Sequence, residues 1–315
     1  MHPPLRSKEL QTSKGDCRPC TGAIRKIPWS KPAEFDWTTL MANESILQKD
    51  EAAATENLGD PAWIRIRDLI YQVSGIYQAE NKFYLLVARA NRRMKAVGAR
   101  SPREYLEFLT ARSSRDSEMK NLLTEITIGQ TCLFRSQAQI EALRKVVIPS
   151  LAEAKKKMAF TKLRLWSAGC STGEESYTLT MVLLEETQAL LKGWTFEVMA
   201  TDLNDRSVAK AREGVYNDYA VRNVPAKLIK KYFNMAGSEF QVADSVKEHV
   251  TFSRLNILDD SKMLFMRGLD VIFCCNVLIY FDEKSKSRTI RHFYNALLPN
   301  GYFFLGNSES LYGGQ

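Results

Sequence analysis

The chain has 315 residues, of which 45% are hydrophobic and 25% are charged, a composition typical of a globular protein with a sizeable core. No apolar run reaches the roughly 18 residues of a membrane span, and the N-terminus lacks the apolar centre of a signal peptide, so we expect a cytoplasmic protein. The net charge of +8 favours an acidic partner, and charge alone does not choose among nucleic acid, anionic lipid and acidic protein.

Residues 1–60 show weak apolar periodicity and end in the breaking sequence NLGDP. This pattern predicts a disordered tail or linker with at most a short helix near residues 36–48. Cys17 and Cys20 form a single CxxC pair in this segment. Because no second ligand pair accompanies them, incidental thiols are a better interpretation than a zinc or redox site, and no metal site is predicted.

Residues 61–128 carry apolar side chains at the three- and four-residue spacing of amphipathic helices. The spacing predicts helices from Pro61 to Ser74, over 83–97, from Pro102 with Ser101 as its N-cap, and over about 115–127. This segment is therefore expected to form a small all-helical domain. Residues 129–160 then form a connecting segment, with a helix at about 136–157.

Strands alternate with helices from residue 161 to residue 315, which predicts an α/β fold with a mostly parallel sheet. A less regular stretch at about residues 237–252 predicts a small antiparallel β-subdomain inserted into that fold. The predicted strands of the main sheet lie at 163–168, 195–201, 250–254, 270–275 and 301–306.

The turn that follows the first predicted strand is the most informative feature of this domain. The sequence SAGCSTGEESY combines small residues with two acids, Glu174 and Glu175, at the start of a helix. Phosphate-binding turns present backbone amides, and sometimes a lysine, to an anion. Two carboxylates instead suit a cofactor with a cationic sulfonium and an amino group, so the turn predicts a site for S-adenosylmethionine.

Polar side chains also follow the other strands of the predicted sheet, where ligands of such sheets bind. Asp202 ends the second strand, Asn256 and Ile257 follow the third, and Cys275 and Asn276 follow the fourth. One such side chain at each strand end, around a slot of small residues, predicts a nucleoside pocket.

These motifs together resemble the CheR-type chemotaxis receptor methyltransferases, over about residues 62–312. The resemblance implies a class I, Rossmann-like, S-adenosylmethionine-dependent methyltransferase domain preceded by a receptor-docking helical domain. It implies methyl transfer to glutamate side chains of chemoreceptors, giving methyl esters and S-adenosylhomocysteine. The matching segments are FR at 134–135, WSAGCSTGEESY at 166–177, ATDLNDRSVAKAREGVY at 200–216, NILD at 256–259, VIFCCNVLIYFD at 271–282 and LPNGYFFLGNSESL at 298–311.

The resemblance also implies roles for individual residues. Arg135 and Tyr280 are expected to face the reacting centre. Cofactor contacts are expected from Thr131, Arg135, Glu175, Asp202, Asn256, Ile257, Cys275 and Asn276.

The chain departs from the family pattern at two of its motif positions. Gly129 stands where the family usually has Asn, and Cys275 stands where it typically has Arg. Family members usually continue through a further strand or hairpin after the SES motif, so we expect C-terminal strands to be missing from this chain. These departures keep a non-catalytic, cofactor-binding adaptor open as an alternative.

A glutamate acceptor is already ionised at neutral pH, so the implied reaction needs no general base. This agrees with only three histidines, none of them at a predicted strand end. The predicted helix over 83–97 offers a basic surface for an acidic helical partner. We expect receptor docking by Lys82, Arg89, Arg92 and Arg93, extended by Arg100 and Arg103.

A nucleic-acid methyltransferase is a second alternative, because the chain is basic. Enzymes that methylate exocyclic base amines carry a proline-rich turn after the fourth strand, whereas this chain has Asn276-Val277-Leu278-Ile279-Tyr280. The absence of proline from that segment disfavours this alternative. We expect a monomer that binds the cytoplasmic helical domain of chemoreceptors, with neither nucleic acid nor membrane insertion.

Overall fold

The computed structural model describes residues 58–127 and 129–311. The predicted tail up to residue 57, its short helix at 36–48 and the Cys17/Cys20 pair lie outside the described residues. Within them, no helix has both the length and the apolar character needed to cross a membrane.

The first described elements are four short helices, and local capping explains where they begin. Asp60 caps α1 by accepting a hydrogen bond from the amide of Ala62, and Ser101 caps α3 through the amide of Glu104. Gly75 ends α1 in the left-handed region (φ 71°), which only glycine adopts without strain. The four helices are α1 (Pro61–Ser74), α2 (Phe83–Ala96), α3 (Pro102–Thr110) and α4 (Arg115–Ile126), with a 3₁₀ turn at Glu80–Lys82.

The predicted connecting helix over 136–157 is present, but it is not uniform. It consists of α5 (Gln137–Ala142), one π-helical stretch (Leu143–Val147) and α6 (Ile148–Lys156). One face of this segment packs through Leu143 and Leu151 into the core beneath the sheet. The segment therefore belongs to the α/β domain as a packed element.

Within the described residues, the strands of the main sheet are β1 (Lys162–Ala168), β2 (Thr195–Asp202), β6 (Val250–Arg254), β7 (Leu269–Cys274) and β8 (Leu297–Leu305). All five are parallel, and they lie in the order β6-β2-β1-β7-β8. If these five strands are counted along the chain, their order across the sheet is 3-2-1-4-5, which is the arrangement of a Rossmann-like half. The chain therefore reverses direction across the sheet between β1 and β7, and this switch point is where ligands of such folds bind.

Helices cover both faces of this sheet, which explains why its central strands β1 and β7 are mostly buried. All six residues of β7 are buried. Each face has its own hydrophobic cluster. The covering and connecting helices are α7 (Glu174–Thr187), α8 (Asp205–Glu213), α9 (Asp218–Val221), α10 (Ala226–Tyr232), α11 (Asp244–Lys247), α12 (Asp260–Met263) and α13 (Glu283–Ala296), and a 3₁₀ turn lies at Leu278–Tyr280.

The small antiparallel sheet exists, but it extends over residues 215–242, so only its last strand falls within the predicted 237–252. Its strands are β3 (Val215–Tyr216), β4 (Phe233–Ala236) and β5 (Glu239–Val242), in the order β3-β5-β4. The placement was wrong because β5 pairs with a two-residue strand more than 20 positions upstream. Residues 250–254 instead form β6 of the main sheet.

The four N-terminal helices pack directly on the α/β domain. One buried cluster contains Trp63 and Leu122 of the helices together with Trp166, Ile272 and Phe293 of the α/β domain. Hydrogen bonds also join the helical domain to the α/β domain. The Tyr71 hydroxyl donates to the Asp282 carboxylate at 2.8 Å, and the Asn256 amide donates to the Val73 carbonyl at 2.6 Å.

Candidate active site

A cavity of about 1020 Å³ opens at the carboxyl ends of β1, β2 and β7, at the switch point of the sheet. One wall comes from the turn after β1 and the loops after β2 and β7. The opposite wall comes from residues 76–79, which lead out of α1, and from Lys82 and Arg89. All the residues predicted to contact cofactor or acceptor line this cavity, namely Thr131, Arg135, Glu175, Asp202, Asn256, Ile257, Cys275, Asn276 and Tyr280.

The turn after β1 is shaped by two glycines with positive φ. A Cβ on Gly169 (φ 79°) would lie 2.3 Å from Val277, so this glycine lets the turn approach the loop after β7. Gly173 (φ 94°) precedes α7, and a Cβ there would lie 2.9 Å from Ala211. Both positions therefore require glycine for packing as well as for backbone conformation.

The two acids of this turn point to different environments, which corrects the expectation that both face the cofactor. Glu174 is buried away from the cavity, and its carboxylate accepts from the Thr172 hydroxyl at 2.7 Å. Glu175 alone lines the cavity, and its Oε1 accepts from the Ser167 hydroxyl at 2.7 Å. A single carboxylate, that of Glu175, is thus available to a cationic ligand at this turn.

Burial dominates the electrostatics of Glu175 and raises its pKa to about 7. Hydrogen bonds from Ser167 and Cys275 and the positive charge of Arg135 oppose that rise, and the nearby carboxylate of Glu309 adds to it. A carboxylate held out of water in this way gains more from a cationic ligand than a solvated one would.

Asp202 lies at the end of β2 with both carboxylate oxygens already bonded to the backbone. One oxygen accepts from the amide of Ser171 at 2.8 Å and the other from the amide of Asn204 at 2.8 Å. Burial raises the pKa of Asp202, and these amide hydrogen bonds lower it. Each carboxylate oxygen can accept further hydrogen bonds, so Asp202 can still receive a pair of ribose hydroxyls.

The loops after β6 and β7 complete the pocket. The side-chain amide nitrogen of Asn256 donates to the Val73 carbonyl, and its side-chain oxygen accepts a hydrogen bond from the backbone amide of Leu258 at 3.0 Å. The Asn256 side chain therefore also fixes the loop after β6. Asn276 has a left-handed backbone (φ 62°). Burial raises the pKa of Cys275, which keeps the thiol protonated, and the thiol lies 3.7 Å from the Gln139 amide oxygen.

Arg135 is positioned by a buried backbone segment. The amide of Leu133 donates to the Ala220 carbonyl at 2.9 Å, and the amide of Phe134 (φ 52°) donates to the Thr178 hydroxyl at 3.0 Å. The Arg135 side chain is solvent exposed and lines the cavity. Among the described residues it makes no hydrogen bond or ion pair, so its guanidinium can receive an anionic group.

Tyr280 lies in the 3₁₀ turn after β7 and is 38% exposed, with its ring on the cavity. Its carbonyl accepts from the Tyr77 amide at 2.8 Å, and Ile76 forms an isolated β-bridge with Phe281. The chain segment leaving α1 is therefore bonded directly to the loop that carries Tyr280.

The four basic residues predicted for docking do not form one exposed surface. Lys82 and Arg89 line the cavity, and burial together with the charge of Arg92 lowers the pKa of Arg89. Arg92 pairs with Glu125 at 3.5 Å. Arg93 is 14% exposed and pairs with buried Glu118 at 2.7 Å, so its guanidinium is held within the helical domain, and its docking role stays a prediction.

Several residues at or beside the cavity were not predicted from the sequence. Residues 76–79 have no motif of their own, and only their attachment to Tyr280 and Phe281 brings them to the site. Glu309 belongs to the SES motif beside the cavity, and its carboxylate anchors the loop after β7. Its acidic type between two serines was the available signal.

The residues present fit S-adenosylmethionine. The cavity offers Glu175 for a cationic group, Asp202 for hydroxyls and apolar walls from Leu203, Ile257 and Val277 for a purine ring. The turn after β1 carries no lysine or arginine that would bind a pyrophosphate. The arrangement suits a nucleoside with a cationic tail better than a dinucleotide.

Comparison with known families agrees with this geometry. A model of the CheR methyltransferase all-alpha domain matches residues 61–127, and a model of the CheR methyltransferase SAM-binding domain matches residues 129–315. The chain belongs to the CheR methyltransferase family. It is an S-adenosylmethionine-dependent methyltransferase, and S-adenosylmethionine is its cofactor.

Curated CheR relatives resemble the chain over most of its length. A chemotaxis protein methyltransferase of Borreliella burgdorferi is 33% identical over 79% of this chain and 88% of the relative. Chemotaxis protein methyltransferase 2 of Vibrio cholerae is 32% identical over 80% of this chain and 86% of the relative. The chemotaxis protein methyltransferase of Escherichia coli is 31% identical over 84% of this chain and 88% of the relative.

One departure from the CheR pattern has a steric explanation in this chain. A Cβ on Gly129 would lie 2.5 Å from the Ser171 hydroxyl oxygen, and that hydroxyl donates to the Gly129 carbonyl at 3.0 Å. Asn at position 129 would displace Ser171 from this bond. Gly129 and Ser171 thus form a matched pair beside the turn after β1.

Proposed function

We propose that this CheR methyltransferase transfers the methyl group of S-adenosylmethionine to glutamate carboxylates of chemoreceptors, as a cytoplasmic protein-glutamate O-methyltransferase. The observation that carries the proposal is Arg135, an exposed cation on the cofactor cavity that makes no hydrogen bond or ion pair within the described part of the chain. The relatives named chemotaxis protein methyltransferase support the choice of acceptor.

The charge balance of the reaction fits this cavity. When bound, S-adenosylmethionine supplies a methyl group on a cationic sulfur, which becomes a neutral thioether as the C–S bond breaks. The acceptor carboxylate forms the new O–C bond and becomes a neutral ester, so no proton is transferred. Among the described residues that line the cavity there is no histidine, and a carboxylate acceptor with pKa near 4.3 needs none.

The chain contributes mainly by holding the reactants in line. Arg135 can bind one oxygen of the acceptor carboxylate and leave the other to attack, and the Tyr280 hydroxyl can donate a further hydrogen bond. Glu175 holds the cofactor's positive end in place. Lys82 and Arg89 add positive charge on the wall formed by the helical domain, where an acidic acceptor segment would enter.

We further propose that residues 61–128 are the receptor-docking domain and that the enzyme acts as a monomer. The support for docking is geometric. The segment leaving α1 is bonded to the loop that carries Tyr280, so a helix bound to this domain is held close to the reacting centre. Electrostatic attraction to an acidic receptor helix would increase the rate of encounter.

The proposal is tested with methyl-tritiated S-adenosylmethionine and a cytoplasmic receptor fragment. We expect label that base releases as methanol, which identifies a glutamate methyl ester. Arg135→Lys keeps the charge but loses the planar fork, so kcat should fall about 100-fold. The matched control Arg112→Lys lies on an exposed helical-domain surface away from the cavity and should leave kcat unchanged. Base-stable label, or no transfer by the wild type, contradicts the proposal.

A further inference from the structure

The loop after β7 is held by a single carboxylate. Glu309 Oε2 accepts from the amides of Asn276 and Gly306, both at 2.7 Å. Glu309 Oε1 accepts from the amides of Val277 at 2.9 Å and Leu278 at 2.7 Å. Four backbone N–H groups therefore converge on one side chain, an arrangement that binds anions strongly.

The loop cannot keep this shape through its own backbone preferences. Asn276 occupies the left-handed region, which costs free energy for a residue with a side chain. The amides of three successive residues, 276–278, point to the same place, where no strand or helix satisfies them. An ionised carboxylate at that point compensates both costs, because charge-assisted hydrogen bonds are the stronger kind.

The close approach of the two loops is also built into the sequence. A Cβ at Gly306 would lie 2.6 Å from Glu309 Oε2 and 2.8 Å from the Asn276 amide nitrogen. Gly306, Asn307 and Ser308 line the cofactor cavity beside Asn276. Residues 306–308 therefore form part of the cavity wall, and Glu309, which follows them, ties the loop after β7 to the end of β8.

We propose that Glu309 is a positioning residue that fixes Asn276 toward the cofactor and Tyr280 toward the acceptor. It acts through the backbone of residues 276–278 and touches neither reactant. The effect on the acceptor rests on the proposed function, whereas the effect on the cofactor does not. Cofactor binding is therefore the primary readout.

The test compares Glu309→Gln with Glu283→Gln, a matched control at an exposed carboxylate that pairs only with Lys286 among the described residues. In Glu309→Gln the side-chain amide places an NH₂ group against two backbone donors. We expect the Kd for S-adenosylhomocysteine, measured by calorimetry, to rise at least tenfold in Glu309→Gln and less than twofold in Glu283→Gln. Glu309→Asp, which keeps the charge on a shorter arm, should restore part of the affinity.

A double-mutant cycle with Asn276→Gly separates positioning from general destabilisation. Glycine removes the Asn276 side chain and tolerates the left-handed backbone. If Glu309 acts through Asn276, Asn276→Gly should weaken binding clearly in the wild type and by less than twofold in the Glu309→Gln background. Additive losses, or wild-type affinity in Glu309→Gln, would overturn the proposal. If Glu309→Gln does not fold, the same cycle is run with Glu309→Asp and judged by the same criterion.

The methyl-transfer assay distinguishes this proposal from the proposed function. We expect kcat on the receptor fragment to fall at least tenfold in Glu309→Gln at saturating cofactor. A wild-type enzyme that binds S-adenosylhomocysteine but does not esterify the fragment contradicts the proposed function alone. An unchanged kcat in Glu309→Gln contradicts the positioning of Tyr280.

Discussion

The residues around the Glu175 carboxylate determine its pKa. This carboxylate accepts a hydrogen bond from the Ser167 hydroxyl and is partly buried, and this burial raises the pKa of Glu175 to about 7. Its ionisation therefore changes across the physiological range of pH, unlike that of an ordinary glutamate near 4.3. A cationic cofactor stabilises the ionised form, so binding and deprotonation of Glu175 are linked.

This linkage predicts that cofactor affinity falls as the pH is lowered. Below pH 7 Glu175 is mostly protonated before binding, and the proton must be released for the carboxylate to balance the cofactor's charge. With a pKa of about 7, the Kd for S-adenosylmethionine should be about tenfold larger at pH 6 than at pH 8. Calorimetry over this range measures it. A Kd that is constant or smaller at pH 6 would contradict the assignment of Glu175.

The sequence was sufficient to predict which strand ends carry the cavity residues, because parallel strands place those ends at one edge. It was not sufficient to separate Glu174 from Glu175. Successive helical residues differ by about 100° in direction, and only the packing of α7 decides which one meets the cavity. The anchoring role of Glu309 escaped prediction for a related reason, since four backbone amides from two loops leave no pattern in the sequence.

At the scale of the elements, a buried ion pair fastens the start of β7 to the connecting helix. Lys155 Nζ lies 2.7 Å from the Asp270 carboxylate, with side chains 5% and 2% exposed. Lys155 also donates to the Lys162 carbonyl, and Asp270 accepts from the Arg164 amide at 2.9 Å. The pair therefore joins α6, β1 and β7 at the end of the sheet opposite the cavity.

Removing one partner of this pair should be strongly destabilising. Asp270→Ala leaves the Lys155 charge buried without compensation and should lower the free energy of unfolding by about 3–5 kcal/mol. Urea titration measures the loss. The exposed pair Lys157–Glu153 provides the control, because Glu153→Ala should change stability by less than about 1 kcal/mol. Equal effects of the two substitutions would contradict this account of the pair.

The helices of the N-terminal domain and the strands of the main sheet were predictable because each carries a local pattern of apolar residues, with caps such as Ser101 marking boundaries. The small antiparallel sheet was misplaced because β3 has two residues and its partner β5 lies after two helices. The basic residues of α2 differ in their environments, and helical spacing does not predict that difference. Helical spacing predicts that Arg93 lies on the same face of α2 as Arg89. In the structure, Arg93 forms an ion pair with buried Glu118 of α4 and is therefore largely removed from solvent.

At the scale of the whole molecule, the chain has a net charge of +8, and Lys82 is one of the basic residues that line the cavity. Lys82→Ala should raise the KM for a receptor fragment about 2–10-fold at low salt and weaken its salt dependence, while leaving the cofactor Kd unchanged. Lys120→Ala, an exposed lysine of α4 outside the cavity, is the control. A loss of cofactor affinity in Lys82→Ala, or equal KM values for both variants, would contradict a role in acceptor capture.

The whole account depends on one carboxylate of the turn after β1 facing a positively charged methyl donor. Calorimetry of S-adenosylmethionine binding at pH 8 with Glu175→Gln and Glu174→Gln tests this most directly, because the two acids are adjacent and only one lines the cavity. We predict a Kd at least tenfold larger for Glu175→Gln and within about twofold of the wild type for Glu174→Gln. Equal effects of the two substitutions, or a larger effect of Glu174→Gln, would contradict the account.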